Sequence, residues 1–338
     1  MSGGSGSGGG MAVPSGWQTP SAPVMRRLRA YFAPVQRSSG VPAYFDPARA
    51  GAFNPSAPPA GWTDLGWIEN FARKSSSTIS ALRSGAPAVV QSQVRQELEA
   101  TVGFRFLSWG KLQLALAAGS EQMNLLATAS GAVAAPSGGT AATAARTAAG
   151  STSTIVQLTS AGNAGLAAGD IVAVDADYTT QTGYVGSGAS AAYIPATGIP
   201  GGSVDYIRRV TLNVARVIAT SGTTTTTLTL EAPLLGGAPS AGLGVQQVIG
   251  FVDREGGSFF QEWSALFAAQ GEQGDWIFYH YPRLQAMQGA AETMVKLADP
   301  LQWVHLDAQF RALPVTDSND GAQALCFRSY LPAPNNTV

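Results

Sequence analysis

Residues 89–119 constrain this chain more than any other stretch. From Val90 the even positions read Val90, Val94, Leu98, Ala100, Val102, Phe104 and Phe106, while the odd ones read Gln91, Gln93, Arg95, Glu97, Glu99, Thr101 and Arg105. Period two over that distance predicts one long β-strand with a dry face and a wet face. About 17 residues at ~3.3 Å each reach roughly 55 Å, two to three times an ordinary globular strand. An element that long outreaches a single compact core, so something outside the subunit is expected to line it. At Ser108 the pattern changes: Trp109, Leu112, Ala115 and Leu116 recur at helical spacing, with Ser108 at the N-cap position and Gly119 where a left-handed C-cap fits. The predicted helix has about three turns, too few to persist without docking on the sheet. Its packing candidates are Trp109, Leu112 and Leu116.

The run FRFLSWGKLQLALAAG, a strand entering a short helix that closes on Leu-Ala-Ala-Gly, resembles the tail tube (major tail) proteins of long-tailed bacteriophages. Over residues 64–85, DLGWIENF followed by ISALRSG is similar to the same family's Gly-aromatic strand, extended segment and small hydrophilic turn. The later blocks IFYHYPRLQ and HLDAQFRALPV and the last strand resemble its closing half. The resemblance covers residues 61–126 and 250–332. It implies a mainly β fold, a tail-tube-type β-sandwich with a long barrel-forming strand pair and a short packed α-helix, plus an inserted small β-domain. It also implies a structural role: six copies close into a ring, rings stack into a tube, and the lumen conducts DNA during ejection. The implied partners are further copies of the chain and other tail proteins such as tape measure and terminator, in a virion assembled in the host cytoplasm. On this reading Gln91, Gln93, Arg95, Glu97 and Glu99 face the lumen, where acidic groups repel passing DNA.

Composition narrows the alternatives. Charged residues are 12% of the chain and the formal net charge is -1; a protein that grips phosphates carries a basic excess, so specific nucleic-acid binding is not expected. So few charges suit a chain that hides surface in an assembly. The single Cys326 rules out an intramolecular disulfide framework. No apolar run nears the ~20 residues of a membrane span, and no signal peptide pattern opens the native chain. The 40 glycines and 20 prolines, with abundant Thr and Val, suit an all-β chain with many turns.

Residues 1–10, MSGGSGSGGG, read as a glycine/serine expression tag or linker ahead of Met11. Residues 11–60 read as an N-terminal arm. Its basic cluster Arg26, Arg27 and Arg29 beside Tyr31 and Phe32 is the candidate contact with a neighbouring subunit, an ordinary surface loop being the other reading. Residues 61–126 and 250–338 form the expected core domain. Residues 127–150, almost all Ala, Gly, Ser and Thr, read as an exposed linker. Residues 151–249 carry a separate β pattern (154–158, 169–175, 210–219, a turn at Ser221-Gly222, 225–230), expected as an inserted domain on the outer surface. Past it, Phe260, Trp263 and Phe267 predict a short amphipathic helix after Ser258. Residues 275–281 and 301–313 read as strands, with Val304, Leu306, Ala308, Phe310 and Ala312 on one side and His305, Asp307, Gln309 and Arg311 on the other. The sequence DSNDG at 317–321 reads as a turn into a last strand over 324–330.

The sequence carries no recognisable catalytic constellation. His280 and His305 show no metal-ligand spacing, and His305 with Asp307 is explained by the wet face of a strand. Glu97 and Glu99 stand about 7 Å apart in an extended chain, a separation reminiscent of hydrolase acid pairs, but no apolar pocket is evident to raise one pKa. The G-x-G-x-x-G at Gly4, Gly6 and Gly9 lies in the tag with no strand before it. No catalytic residue, metal site or cofactor is therefore expected. Trp276, Phe278, Tyr279 and Tyr281 fit a core or subunit interface; as a sugar platform they would instead make the chain a surface or secreted β-sandwich carbohydrate-binding module.

Overall fold

The computed structural model describes residues 25–35, 40–48, 54, 55, 58, 62–119, 121–134, 141–159, 165–175, 213–222, 226–234, 237–254, 262–272, 274–287, 291–298 and 301–332. The chain is mainly β, its sheets antiparallel, with one helix among the described residues. The first strands are β1 (Met25–Pro34), β2 (Thr63–Ser84) and β3 (Val89–Phe106), followed by α1 (Lys111–Ala118) and β4 (Glu121–Leu126). Next come β5 (Ala145–Arg146), β6 (Ile155–Gln157), β7 (Ile171–Asp175), β8 (Val214–Ser221), β9 (Thr227–Leu230) and β10 (Gly244–Arg254). The chain closes with β11 (Glu262–Gly271), β12 (Trp276–Ala286), β13 (Ala291–Ala298), β14 (Leu301–Ala312), β15 (Val315–Thr316), β16 (Gln323–Ala324) and β17 (Phe327–Leu331).

The first sheet runs β13-β14-β3-β2-β1-β11-β12-β17, and β12 also pairs with β14. That extra pairing, Leu284 opposite Ala312 and Ala286 opposite Phe310, curls six of the strands into a closed barrel. Closure removes the open edges those strands would otherwise present. Phe32, Phe104, Phe267 and Phe310 fill the interior; Phe32 lies 5.4 Å from Phe310 and 6.2 Å from Phe104, and Phe104 stacks on Phe310 at 5.7 Å.

β11 is where the expected helix stood. Phe260 lies outside the described residues, but Trp263 and Phe267 belong to a strand whose residues 263–269 are all buried. Trp263, Ala265 and Phe267 point into the barrel, while Leu266 and Ala268 pack outward against Tyr31, Trp62 and Phe278. A strand dry on both faces shows no alternation, so the spacing of its aromatics imitates a helix.

Residues 11–60, as far as they are described, are no arm reaching away from the subunit. β1 is an interior strand between β2 and β11. Residues 41–47 then strap across the outside of β12: the Ala43 amide donates to Ser264 Oγ (2.8 Å), its carbonyl accepts from His280 Nε2 (3.1 Å), and Phe45 packs on Phe278 at 4.9 Å.

The helix closes on Gly119 as expected, at φ 62. It starts later than expected. Its N-cap is Gly110, without a side-chain cap, because Ser108 Oγ donates to the Leu65 carbonyl (3.3 Å) and accepts from Gln113 Nε2 (3.1 Å). Leu114, Leu116 and Ala117 are buried in the barrel core and Leu112 is packed against it. Trp109 precedes the helix, half exposed; its ring tilts against Phe251 and its indole N–H donates to Glu292.

The second sheet is ordered β4-β10-β7-β8-β9-β6, with β5 on β10, around Val156, Leu158, Val172, Val217 and Leu230. β4 and the end of β10 pair with each other here, in residues the sequence assigned to the core domain. The stretch 127–150 is not simply an exposed linker. Ala141, Ala144, Ala145 and Thr147 are buried, and the Thr147 hydroxyl donates to the Ser240 carbonyl at 2.6 Å. Methyl-sized side chains let this backbone lie close on the sheet, and its polar groups are satisfied there. Of the strand expected over 210–219, residues 210–212 lie outside the described part.

Candidate functional site: a two-stranded ribbon beyond the barrel

β2 and β3 pair with each other from Ile68 and Phe106 to Ser84 and Val89. Only the barrel end of this hairpin is flanked. β1 pairs with β2 as far as Ile68, and β14 pairs with β3 only from Thr101 to Phe106. Among the described residues, the outer edges of 69–84 and 89–100 have no strand beside them. That is about 12 residues of bare ribbon, roughly 40 Å. The chain turns at residues 85–88, where Gly85 takes φ 97, a conformation that favours glycine.

The bare ribbon carries large apolar side chains among its polar ones. Ile79 (53% exposed), Leu82 (64%), Val89 (52%), Val90 (47%), Val94 (59%) and Leu98 (44%) all stand in solvent, although Ala100, Val102, Phe104 and Phe106 of the same strand are buried. The dry face predicted from the sequence is thus covered by this subunit only over its last third.

Register decides which side chains share a face, because residues directly opposite in a ladder point the same way. Thr78 opposes Glu97 but the next residue, Ile79, opposes Arg95, so Gln96 is an extra residue in β3. Such a bulge turns everything beyond it to the other face. Glu97 and Glu99 share a side with Thr78, Ser76 and Lys74; Arg95 and Gln93 lie on the opposite side with Ile79 and Ala81. A second irregularity between Leu82 and Arg83 leaves Gln91 without an opposite residue. The five residues expected on one lumen-facing side are all exposed, but the ladder divides them between two.

The same count distributes the exposed apolar residues over both faces. Ile79, Val90 and Leu98 continue the side that becomes the barrel interior, while Leu82, Val89 and Val94 lie on the other. Near the barrel this second side is wholly polar. Its charge is close to balanced rather than acidic, because Arg311 pairs with Glu99 at 2.9 Å and Lys74 lies opposite Thr101. Glu97 accepts only a long hydrogen bond from Thr78 Oγ1 (3.5 Å) and sits on the open ribbon, not in an apolar pocket. Glu97→Gln will therefore leave any assembly of the chain intact, read by sedimentation of the variant beside the parent.

Two of the basic cluster have partners within the subunit. Arg29 Nε donates to Asp64 Oδ1 at 2.9 Å, and the guanidinium groups of Arg29 and Arg27 lie 5.1 and 5.4 Å from the Trp67 ring centre. Arg27 stays exposed, and the Arg26 side chain lies outside the described part. In the aromatic strip Phe278 and Tyr281 are fully buried, and Trp276 and Tyr279 are half-buried. His305 shares a side with Asp307 but is buried rather than wet: it lies opposite Thr293 with its ring 4.8 Å from that of Trp303, and Asp307 is held by Arg105 Nε at 2.8 Å. No group of three or more His, Cys, Asp or Glu side chains among the described residues is placed to hold a metal ion.

Two buried bases set a pH window for the fold. Burial lowers the His280 pKa to about 4, its hydrogen bond to Ala43 opposing the shift; the carbonyl can only accept, so Nε2 carries the proton. Burial also lowers Lys111 to about 7; its one described hydrogen bond, to Asn124 Oδ1, is 2.9 Å. Both groups bind protons more readily unfolded than folded, so each costs stability as pH falls. For His280 the loss runs from about 6.5 down to about 4, and for Lys111 from 10.5 down to about 7. Melting temperature will therefore rise from pH 4 to 6.5 and again from 7 to 10. Lys111→Met will flatten the upper rise in a pH series of thermal melts.

At the other end of the β3/β14 seam a second hairpin runs past the barrel. β14 meets β3 only from Leu306 onward, and its earlier residues pair with β13 alone. Met294 (72% exposed) and Trp303 (43%) stand in solvent there. The sequence resemblance stands on its motifs alone: no protein-family model and no curated protein matches this chain.

Proposed function

We propose that this chain is the structural subunit of a phage-type tail tube, its two sheets being a tail-tube-type core and an inserted outer β-domain. The observation that carries this reading is the ribbon: two strands with both outer edges unpaired and six large apolar side chains in water. A long apolar strand edge left open is an aggregation site. In a closed ring the β2 edge of one copy is completed by the β3 edge of the next, and no edge remains.

Energetics favours closure over loose pairing. Six side chains at roughly 1.5 kcal/mol each supply about 9 kcal/mol, within the ~4–15 kcal/mol that association costs. Edge hydrogen bonds and closure of the ring supply the surplus. The polar side with Glu97 and Glu99 then lines the channel. The bulge at Gln96 carries Arg95 off that wall, and Arg311 leaves it without a run of free cations to hold phosphates. Nearer the tip both faces carry exposed apolar side chains, which suits a segment contacted on both sides by the next ring, and Met294 and Trp303 at the opposite end supply apolar surface for such a contact. Head-to-tail contacts of this kind extend without limit along an axis. Six-fold symmetry, the tape measure and terminator partners, the virion location and the absence of catalysis follow from the resemblance.

Hydrogen exchange across a dilution series tests the reading. Amides of residues 69–84 and 89–100 will become protected as concentration rises while those of the barrel stay protected throughout. Ribbon amides that exchange freely at every concentration would remove its basis.

A further inference from the structure

The outer face of β12 holds a cavity of about 340 Å³ that the tube reading does not use. Its volume falls within the range of small-ligand sites. Tyr44 comes from the strap, His280 and Phe327 from β12 and β17, and Asp317 and Asn319 from the turn after β15. Both walls are held in place before any ligand arrives. The strap is clamped through the amide and carbonyl of Ala43. The turn is locked by Gly321 N donating to the Asp317 carbonyl (2.8 Å) and Asn319 N donating to Asp317 Oδ1 (2.9 Å).

The lining joins two kinds of surface. Phe327 lies nearly parallel to the His280 ring at 6.0 Å, and Tyr44 meets His280 edge-on at 6.1 Å while staying 57% exposed. Aromatic carbon is thus left in contact with water. Beside it, Asp317 Oδ2 and the Asn319 side-chain amide have no hydrogen-bond partner among the described residues, and the rest of the polar lining from this turn and β17, Ser318 and Ser329, is neutral. A carboxylate on the rim disfavours phosphate, and with the neighbouring polar residues Ser318, Asn319 and Ser329 neutral, hydrogen-bonding groups outnumber charge in the lining. That lining suits a neutral ring with an apolar C–H face and hydroxyls around its edge.

We propose that this cavity binds a pyranose sugar. The C–H face of the ring lies on Tyr44 and Phe327, and its hydroxyls donate to Asp317 Oδ2 and exchange hydrogen bonds with Asn319.

Saturation-transfer NMR on the full chain tests this with four probes: methyl glucoside, methyl galactoside, methyl N-acetylglucosaminide and methyl glucuronide. At least one will bind saturably, with Kd on the order of 1 mM. Tyr44→Ala and Asp317→Asn will each weaken that probe about tenfold or more. Asparagine at 317 keeps the acceptor that Asn319 N needs, so that variant retains its turn. Met294→Ala, at the far end of the seam, will bind as the parent does. Saturation by none of the four, or equal binding in both cavity variants, would overturn the proposal.

Discussion

Aspartate at Ile79 and Val94 together will abolish assembly while moving the melting temperature of the isolated chain by no more than about 2 °C. The two positions are 53% and 59% exposed and lie on opposite faces of the ribbon, so no single orientation of the hairpin spares both. Inside the subunit neither side chain contributes much burial, and charge there costs the monomer little. Between copies, each aspartate places a carboxylate where an apolar contact is required, at several kcal/mol per site if it stays ionised. Two such sites at each interface cancel most of the about 9 kcal/mol that the six apolar side chains supply. Sedimentation velocity of the double variant will show a single slow species at concentrations where the parent assembles, and thermal melts of the two proteins will overlay.

Leu116→Asp will have the opposite signature, losing fold and assembly together. Leu116 is 1% exposed, on the face of α1 packed into the barrel core with Leu114 and Ala117. The helix has eight residues, no side-chain N-cap and no acidic residue in its first turn, so docking alone keeps it helical. Among the described residues, the core cluster around it offers apolar partners and no cation to receive a carboxylate. Expected destabilisation is about 3–5 kcal/mol, a large part of what holds a domain together. Circular dichroism and a denaturant midpoint measure it. A Leu116→Asp chain that melts like the parent yet fails to assemble would mean that α1 docks between subunits rather than within one.

Where alternation is one-sided, the sequence was readable almost to the residue. β3 spans Val89–Phe106 and β14 spans Leu301–Ala312, close to the ranges that period two marks out. Faces were harder than spans. The extra residue Gln96 has no compositional signature, so Arg95 was placed beside Glu97 although the ladder turns it away. β11 was misread because its cover is remote: the barrel wall and the strap at 41–47 dry both of its faces, and nothing near Trp263 and Phe267 announces either. Ser108 looks like an N-cap in sequence, and only the fold brings the Leu65 carbonyl to its hydroxyl. The arginines of β1 looked free for a neighbour because Asp64 and Trp67, which take up Arg29 and Arg27, lie about 35 positions further along. The cavity on β12 was invisible for the same reason, since its walls are contributed by three distant parts of the chain.

Negative-stain electron microscopy of the concentrated protein tests most directly whether identical neighbours complete the ribbon around a hollow axis. The account predicts annular particles and stacked, hollow tubes of constant width. A field of separate single subunits, at concentrations where exposed apolar strands would already have met their partners, would contradict it.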